Sequence, residues 1–195
     1  MGKLDRPINM YPPTPLLRDE TVIEMEPDQR YLTKRYTAEA LEFIEENQDR
    51  PFFLYLPHSM PHWPQYATNR FVGQSKNGPW GDAVEEIDWS TGQILDRLQE
   101  LGIDEHTLVV FTSDNGGATR HGAVNRPLRG GKGSVWEGGF RVCCVTRWPG
   151  KIPSGSQSAE LASTIDLMPT FAKLAGAAMP SDRRIDGKDI GGLLR

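Results

Sequence analysis

Apolar positions recur with a helical period in three stretches of the chain. Between Asp28 and Glu46, the residues Leu32, Tyr36, Ala40, Phe43 and Ile44 share one face, and Asp28 is a residue type that caps helix starts. Further on, Val84, Ile87, Thr91, Ile94, Leu98 and Leu101 make a second such face. Asp82 and Glu85 read as a capping-box-like start to that helix, and Gly102 as its stop. The stretch "DLMPTFAKLAG" predicts a third helix, with Pro169 tolerated in its first turn and Gly176 at its end. Three short apolar runs have strand character instead: "PFFLYL" (51–56), "TLVVFT" (107–112) and "FRVCCVTRW" (140–148). Residues 1–27, with "PINMYPPTPLL", are proline-rich and aperiodic, and read as an extended lead-in on the surface. Residues 28–195 form the core portion, and the tail "IDGKDIGGLLR" carries no closing element.

Helices alternating with strands predict an α/β fold with a largely parallel sheet. In such sheets ligands gather beyond the carboxyl ends of the strands. Two strands here run into long polar loops. "PFFLYL" leads into "PHSMPHWP", which holds His58 and His62; "TLVVFT" leads into Asp114-Asn115-Gly116-Gly117. Parallel neighbours would put both loops on one edge.

Composition adds bounds. A chain of 195 residues with 37% hydrophobic and 25% charged residues suits one soluble, cored domain. The formal net charge of -4 gives no global attraction to nucleic acid or anionic membrane. No apolar run approaches the roughly 20 residues that span a bilayer. The N-terminal "MGKLDRPINM" lacks the apolar core of a signal peptide. The two cysteines, Cys143 and Cys144, are adjacent and make no disulfide framework. The spacing from Cys143 to Arg147 invites a nucleophile, but the strand-like residues between favour buried cysteine acting as a small hydrophobe.

The candidate chemistry lies in the loops. Asp114 and Asn115 offer a carboxylate and a carbonyl oxygen, donors that suit a hard cation such as calcium or magnesium. Asp114-Asn115-Gly116-Gly117 is also good turn chemistry in any protein. In "LRGGKGSVWEGG", Lys132 stands between glycines, where backbone can approach an anion closely and the ammonium adds a point charge. A solvated surface lysine is the plain alternative, and the spacing does not fit a P-loop. His62 sits between prolines beside Trp63 and is able to donate to an anion or protonate a leaving group. His58 is its rival for that role and reads as structural.

The order of these motifs is more specific than any one of them. "PFFLYLPHSMPHWPQ", "TLVVFTSDNGG", "LRGGKGSVWEGGFRV", "RWPGKIPSG", "STIDLMPTFAKLAG" and "IDGKDI" together closely resemble the sulfatase family, of the arylsulfatase A type, from about Tyr31 onward. The resemblance implies an alkaline-phosphatase-like α/β sandwich with a largely parallel central sheet, incomplete in this chain. It implies hydrolysis of sulfate esters by a formylglycine nucleophile beside a calcium ion, with magnesium as the alternative. By matching position, His62 would contact the sulfate and the leaving oxygen, Lys132 would hold a sulfate oxygen, and Asp114 and Asn115 would be metal ligands. The substrate would be a sulfated small molecule or glycan, and the compartment periplasmic, secreted or lysosomal. Several family features are missing. The nucleophile motif Cys/Ser-x-Pro-x-Arg occurs nowhere in the chain. Also missing are the paired aspartates of the family's N-terminal strand, the Lys and His near its nucleophile, and its small second domain. Where the family often has proline after "FRV", this chain has Cys143. The expectation is therefore a catalytic-domain portion without turnover of its own. The alternatives are a phosphomonoester or phosphonate hydrolase of the same superfamily, and a non-catalytic anion-binding module.

Overall fold

A computed structural model describes residues 12–194. They fall into two compact units, one of residues 12–43 and 52–93, the other of residues 44–51 and 94–194.

The first unit opens with an antiparallel hairpin of β1 (Pro15–Arg18) and β2 (Thr21–Met25). The described part of the lead-in, residues 12–27, is thus extended as expected, but it is paired; residues 1–11 lie outside the described residues. Its turn carries no glycine, and Asp19 takes φ 52°. Salt bridges from Arg35 to Glu24 (2.5 Å) and from Arg18 to Glu39 link the hairpin to the helix that follows. The Asp28 side chain accepts from the Arg30 amide (3.1 Å) and starts a single 3-10 turn, which runs into α1 (Leu32–Glu46). The Arg30 guanidinium holds the Asp28 carboxyl below its ordinary value.

Helix α1 buries Leu32, Thr33, Thr37 and Ala40 in this unit, and Thr37 Oγ1 donates to Ser90 Oγ (2.6 Å) on α2 (Gly78–Glu100). α2 begins one turn before the predicted Asp82 start. Asp82 does not cap it. Its carboxylate accepts instead from the Gly73 amide (2.8 Å) and the Ser75 amide (2.9 Å) of the incoming loop. The deepest stripe of α2 here is Ala83, Glu86, Ile87 and Ser90, more polar than the predicted face.

Residues 51–56 belong to no helix and to no ladder among the described residues. Their exposure alternates, with Phe53 at 70% and Tyr55 at 76%. The strand predicted there is not formed among the described residues, though its side chains alternate in exposure as a strand's would.

In the second unit, β3 (Val109–Thr112) pairs with β4 (Cys144–Arg147) in antiparallel register, Thr112 opposite Cys144. Both described sheets are two-stranded and antiparallel, so no parallel ladder is seen. The predicted run 140–148 is shortened because Glu137–Phe140 close into a single helical turn. Cys143 and Cys144 are exposed, which corrects the buried reading; among the described residues β4 bonds only to β3, so no larger sheet encloses the cysteines there. Arg147 pairs with Asp104 (2.9 Å) and Trp148 Nε1 donates to Glu105 O (3.0 Å), fixing the far end of β4.

α3 (Leu167–Leu174) is the predicted third helix; Ser163 and Asp166 form a capping box ahead of it. The tail is tied to this helix: the Lys188 amide donates to Asp166 Oδ1 (2.7 Å) and the Ile190 amide to Thr170 Oγ1 (2.9 Å). These backbone donors, Lys188 first and then Ser163, lower the pKa of Asp166.

Candidate active site

His62 stands on an exposed loop of the first unit. Met60 on one side and Ala67 on the other are buried, and the Tyr66 amide donates to Met60 Sδ (3.3 Å), closing the loop at its base. The outgoing leg is anchored on α2, where Glu86 is 1% exposed. Its carboxylate accepts from the Thr68 amide (2.9 Å) and the Thr68 hydroxyl (2.9 Å). The Met60–Pro61 and Trp63–Pro64 peptide bonds are cis. His62 Nδ1 lies 2.7 Å from Trp63 O. A carbonyl only accepts, so Nδ1 carries the proton, which leaves Nε2 as the nitrogen available to a ligand.

His58 differs from it. It is half-buried, and burial pushes its imidazole below the ordinary value of 6.5. Its ring lies 6.5 Å from that of Tyr36, and its Nδ1 is buried without a hydrogen-bond partner among the described residues. The environment favours a neutral, packed histidine.

In the second unit the chain after β3 turns at once. Ser113 Oγ donates to Asn115 O (3.2 Å), and the Asn115 side-chain amide donates to the Asp114 carboxylate. Asp114 is exposed and Asn115 half-buried. The two glycines that follow are built into backbone contacts. A Cβ on Gly116 would lie 1.8 Å from Gly138 O, and one on Gly131 would lie 2.7 Å from Gly117 O. The Gly116 amide donates to Gly139 O (3.0 Å), and the Lys132 amide donates to Gly117 O (3.1 Å). Glycine is required here because carbonyls occupy the side-chain space. Through Gly117, two residues beyond Asn115, the turn holding Asp114 and Asn115 is thereby locked to the loop holding Lys132.

Asn125, not singled out by sequence reasoning, clamps this knot. Its Oδ1 accepts from the Gly117 amide (3.0 Å), and its Nδ2 donates to Gly117 O (2.8 Å) and Gly130 O (3.1 Å). A carboxamide can serve both roles at once. Its partners are backbone groups, so no spacing of residue types announces it. A second unpredicted feature is the Arg129 guanidinium, 3.6 Å from the centroid of the Trp136 ring.

The oxygens of Asp114 and Asn115 are the donor type that calcium or magnesium takes, and the Asp114 carboxylate faces solvent, so the pair fits such an ion. Two residues are an incomplete ligand set. Among the described residues no cluster of three or more His, Cys, Asp or Glu could hold a metal. Asp114, Asn115 and Lys132 thus share one backbone knot, and His62 stands on its own loop in the other unit.

A model of the Sulfatase family matches residues 5–177. The chain is 44% identical to rat steryl-sulfatase over 197 residues, covering 97% of this chain and 33% of that protein. It is 47% identical to dog N-acetylgalactosamine-6-sulfatase over 178 residues, covering 88% and 34% respectively. The chain therefore spans about a third of the length of the curated relatives it matches. Among solved structures, Ps i-CgsB in complex with k-i-k-neocarrahexaose superposes with a TM-score of 0.84 at 35% identity, over 92% of this chain and 41% of that one. PsFucS1 sulfatase from Pseudoalteromonas sp. gives a TM-score of 0.80 at 34% identity, over 85% and 34%.

Proposed function

The chain belongs to the sulfatase family, and from that premise we propose that, within a complete catalytic domain, it hydrolyses sulfate esters. Lys132 and His62 would act on the sulfate, and Asp114 and Asn115 would hold a divalent cation, calcium or else magnesium. The observation that carries this reading is the glycine knot, which fixes the Asp114-Asn115 turn and the Lys132 loop to each other through the Lys132 amide and Gly117 O at 3.1 Å. A site for one tetrahedral anion needs its charged groups held before the anion arrives, and backbone locked this way supplies that.

Lys132 would hold a sulfate oxygen and stabilise the charge that develops during transfer. His62, its Nδ1 proton kept on Trp63 O, would give the Nε2 proton of its imidazolium to the leaving oxygen as the S–O bond breaks. It would end as the neutral Nδ1–H tautomer. The cation, when bound, supplies positive charge against the sulfate oxygens. The formylglycine nucleophile is assigned to sequence outside these 195 residues, since none of them makes the Cys/Ser-x-Pro-x-Arg motif. The same reading assigns residues 51–56 and β3 to one largely parallel, alkaline-phosphatase-like sheet in the complete domain. Phe53 and Tyr55, exposed at 70% and 76%, are surfaces such a sheet would cover.

The test is titration of the 195-residue chain with inorganic sulfate, followed by NMR, beside a parallel titration with phosphate and an assay of aryl sulfate hydrolysis. Sulfate should shift the Lys132 and Gly117 amides in preference to phosphate, Lys132→Ala should remove the response, and no sulfate should be released. Calcium should bind weakly, because most oxygen ligands are absent. Release of sulfate by the purified chain would overturn the assignment of the nucleophile, and sulfate binding indifferent to Lys132 would overturn the anion site.

A further inference from the structure

The segment between the two glycine loops departs from the charge of the chain around it. The protein has a formal net charge of -4, yet from Gly116 to Trp136 it carries Arg120, Arg126, Arg129 and Lys132 and neither aspartate nor glutamate. Elsewhere the arginines are largely committed: Arg18, Arg30, Arg35, Arg97 and Arg147 each pair with a carboxylate. Among the described residues Arg120, Arg126 and Lys132 make no such pair. The Arg129 guanidinium lies over the Trp136 ring, 3.6 Å from its centroid, and among the described residues it pairs with no carboxylate.

A cleft of about 370 Å³ opens in this segment, lined by Thr119, Ala123, Val124, Asn125, Arg126 and Leu128. Ala123, Val124 and Leu128 give it an apolar floor, while Thr119, Asn125 and Arg126 provide polar groups. The cleft adjoins the glycine knot directly, because Asn125 is both its wall and the residue bonded to Gly117 and Gly130.

We propose that this cleft takes the sugar ring of a sulfated glycan, and that Arg126 and Arg129 select glycans with a second anionic group beyond the sulfate held by Lys132. This rests on the sulfate site proposed above. An apolar floor with a polar edge suits the C–H face of a pyranose ring, and the volume lies within the range of small-ligand pockets. Planar guanidinium groups match sulfate and carboxylate oxygens two at a time. Unpaired cations gathered on an otherwise acidic chain also draw polyanions towards this face. A neutral aryl or steroid group would use the floor and leave Arg126 and Arg129 without a partner. That difference separates the two substrate classes.

The experiment is calorimetric titration of the 195-residue chain at low salt with four probes. These are inorganic sulfate, a monosulfated N-acetylhexosamine, its disulfated counterpart, and an aryl sulfate with no other charge. The disulfated sugar should bind about tenfold more tightly than the monosulfated one, the size of one charge-assisted contact. Arg126→Ala should reduce that preference to within about twofold, and Arg126→Glu should reverse it, while inorganic sulfate binds as before. Arg126 is exposed, so its replacement leaves packing intact. Arg129→Ala should act in the same direction, and added salt should shrink the preference. Equal binding of the two sugars with sulfate binding intact would overturn the basic rim alone. So would a preference that survives both arginine variants, or tighter binding of the aryl sulfate. Loss of all binding, inorganic sulfate included, would overturn the Lys132 site and this inference with it.

Discussion

The candidate residues of the two units are held in opposite ways. The loop around His62 is anchored by side chains, two buried carboxylates on α2: Glu86 grips Thr68, and Asp82 grips Gly73 and Ser75. The loops around Asp114 and Lys132 are anchored to each other by backbone against backbone, with Asn125 as a side-chain clamp between them and Ser134 Oγ accepting from the Gly131 amide (3.2 Å) within the Lys132 loop. A loop held by carboxylates can be weakened one hydrogen bond at a time. A glycine knot has no such gradation, because any side chain at its centre must displace a carbonyl. The first design leaves a histidine on an exposed rim. The second fixes the backbones of two loops that carry charged residues against each other, which suits a site that must not reorganise as charge develops.

The largest expected effect comes from the knot. Gly116→Ala would put a Cβ 1.8 Å from Gly138 O and 3.0 Å from the Gly139 carbonyl carbon, all of it backbone. It should cost at least about 3 kcal/mol, the upper range for overpacking. Amide exchange at Gly116 and Lys132 should accelerate in the variant. If Gly116→Ala melted like the parent chain and kept that protection, the knot would not be the rigid element described.

The carboxylate anchor should yield less. Glu86→Ala removes two hydrogen bonds to Thr68 and leaves a buried cavity and an unmet amide, for about 2 kcal/mol in chemical denaturation. Glu86→Gln, which keeps the volume and one acceptor, should recover part of this. Exchange at the Thr68 amide distinguishes a lost anchor from a general loss of stability.

How much of this was legible in the sequence follows from what each element depends on. α1 ends at Glu46 as its periodicity predicts, because its burial is set by its own spacing. α2 starts one turn early because Asp82, a good capping residue by type, spends its oxygens on the loop. The hairpin of Pro15–Arg18 and Thr21–Met25 was hidden by prolines and by a turn with Asp19 at positive φ, where glycine or asparagine is the usual signal. The parallel sheet was inferred from alternation alone, and strand pairing depends on partners distant in sequence. The types of the site residues could be read from motif order. Asn125 could not, since its contacts are to backbone groups that every residue has. Cys143 and Cys144 were misjudged because burial of a strand depends on what lies beside it.

A smaller effect should separate the two histidines. His58 has its folded pKa lowered by burial from 6.5. The unfolded chain therefore binds this proton more readily, and stability should rise with pH through the window just below and around 6.5. The contribution is present above that window and is lost as pH falls through it. Denaturation at pH 5 and at pH 7.5 should differ in this sense, and His58→Phe should flatten the difference. A variant as pH-sensitive as the parent would assign the effect to another group.

The smallest expected change has the opposite sign. Gly92 lies inside α2, with no positive φ, and a Cβ there would meet nothing within 4 Å. Gly92→Ala should therefore stabilise the protein by about 0.5–1 kcal/mol, since alanine loses less backbone entropy than glycine on entering a helix. The readout is a higher denaturation midpoint with an unchanged slope. Set beside Gly116→Ala, the same chemical substitution should move stability in opposite directions at two glycines of one chain. The cause would be the carbonyl that fills the side-chain space at Gly116 and the open space at Gly92. Destabilisation by Gly92→Ala would mean that α2 is more closely covered at this position than its open surroundings imply. The contrast between a packed loop glycine and a free helical one would then need to be redrawn.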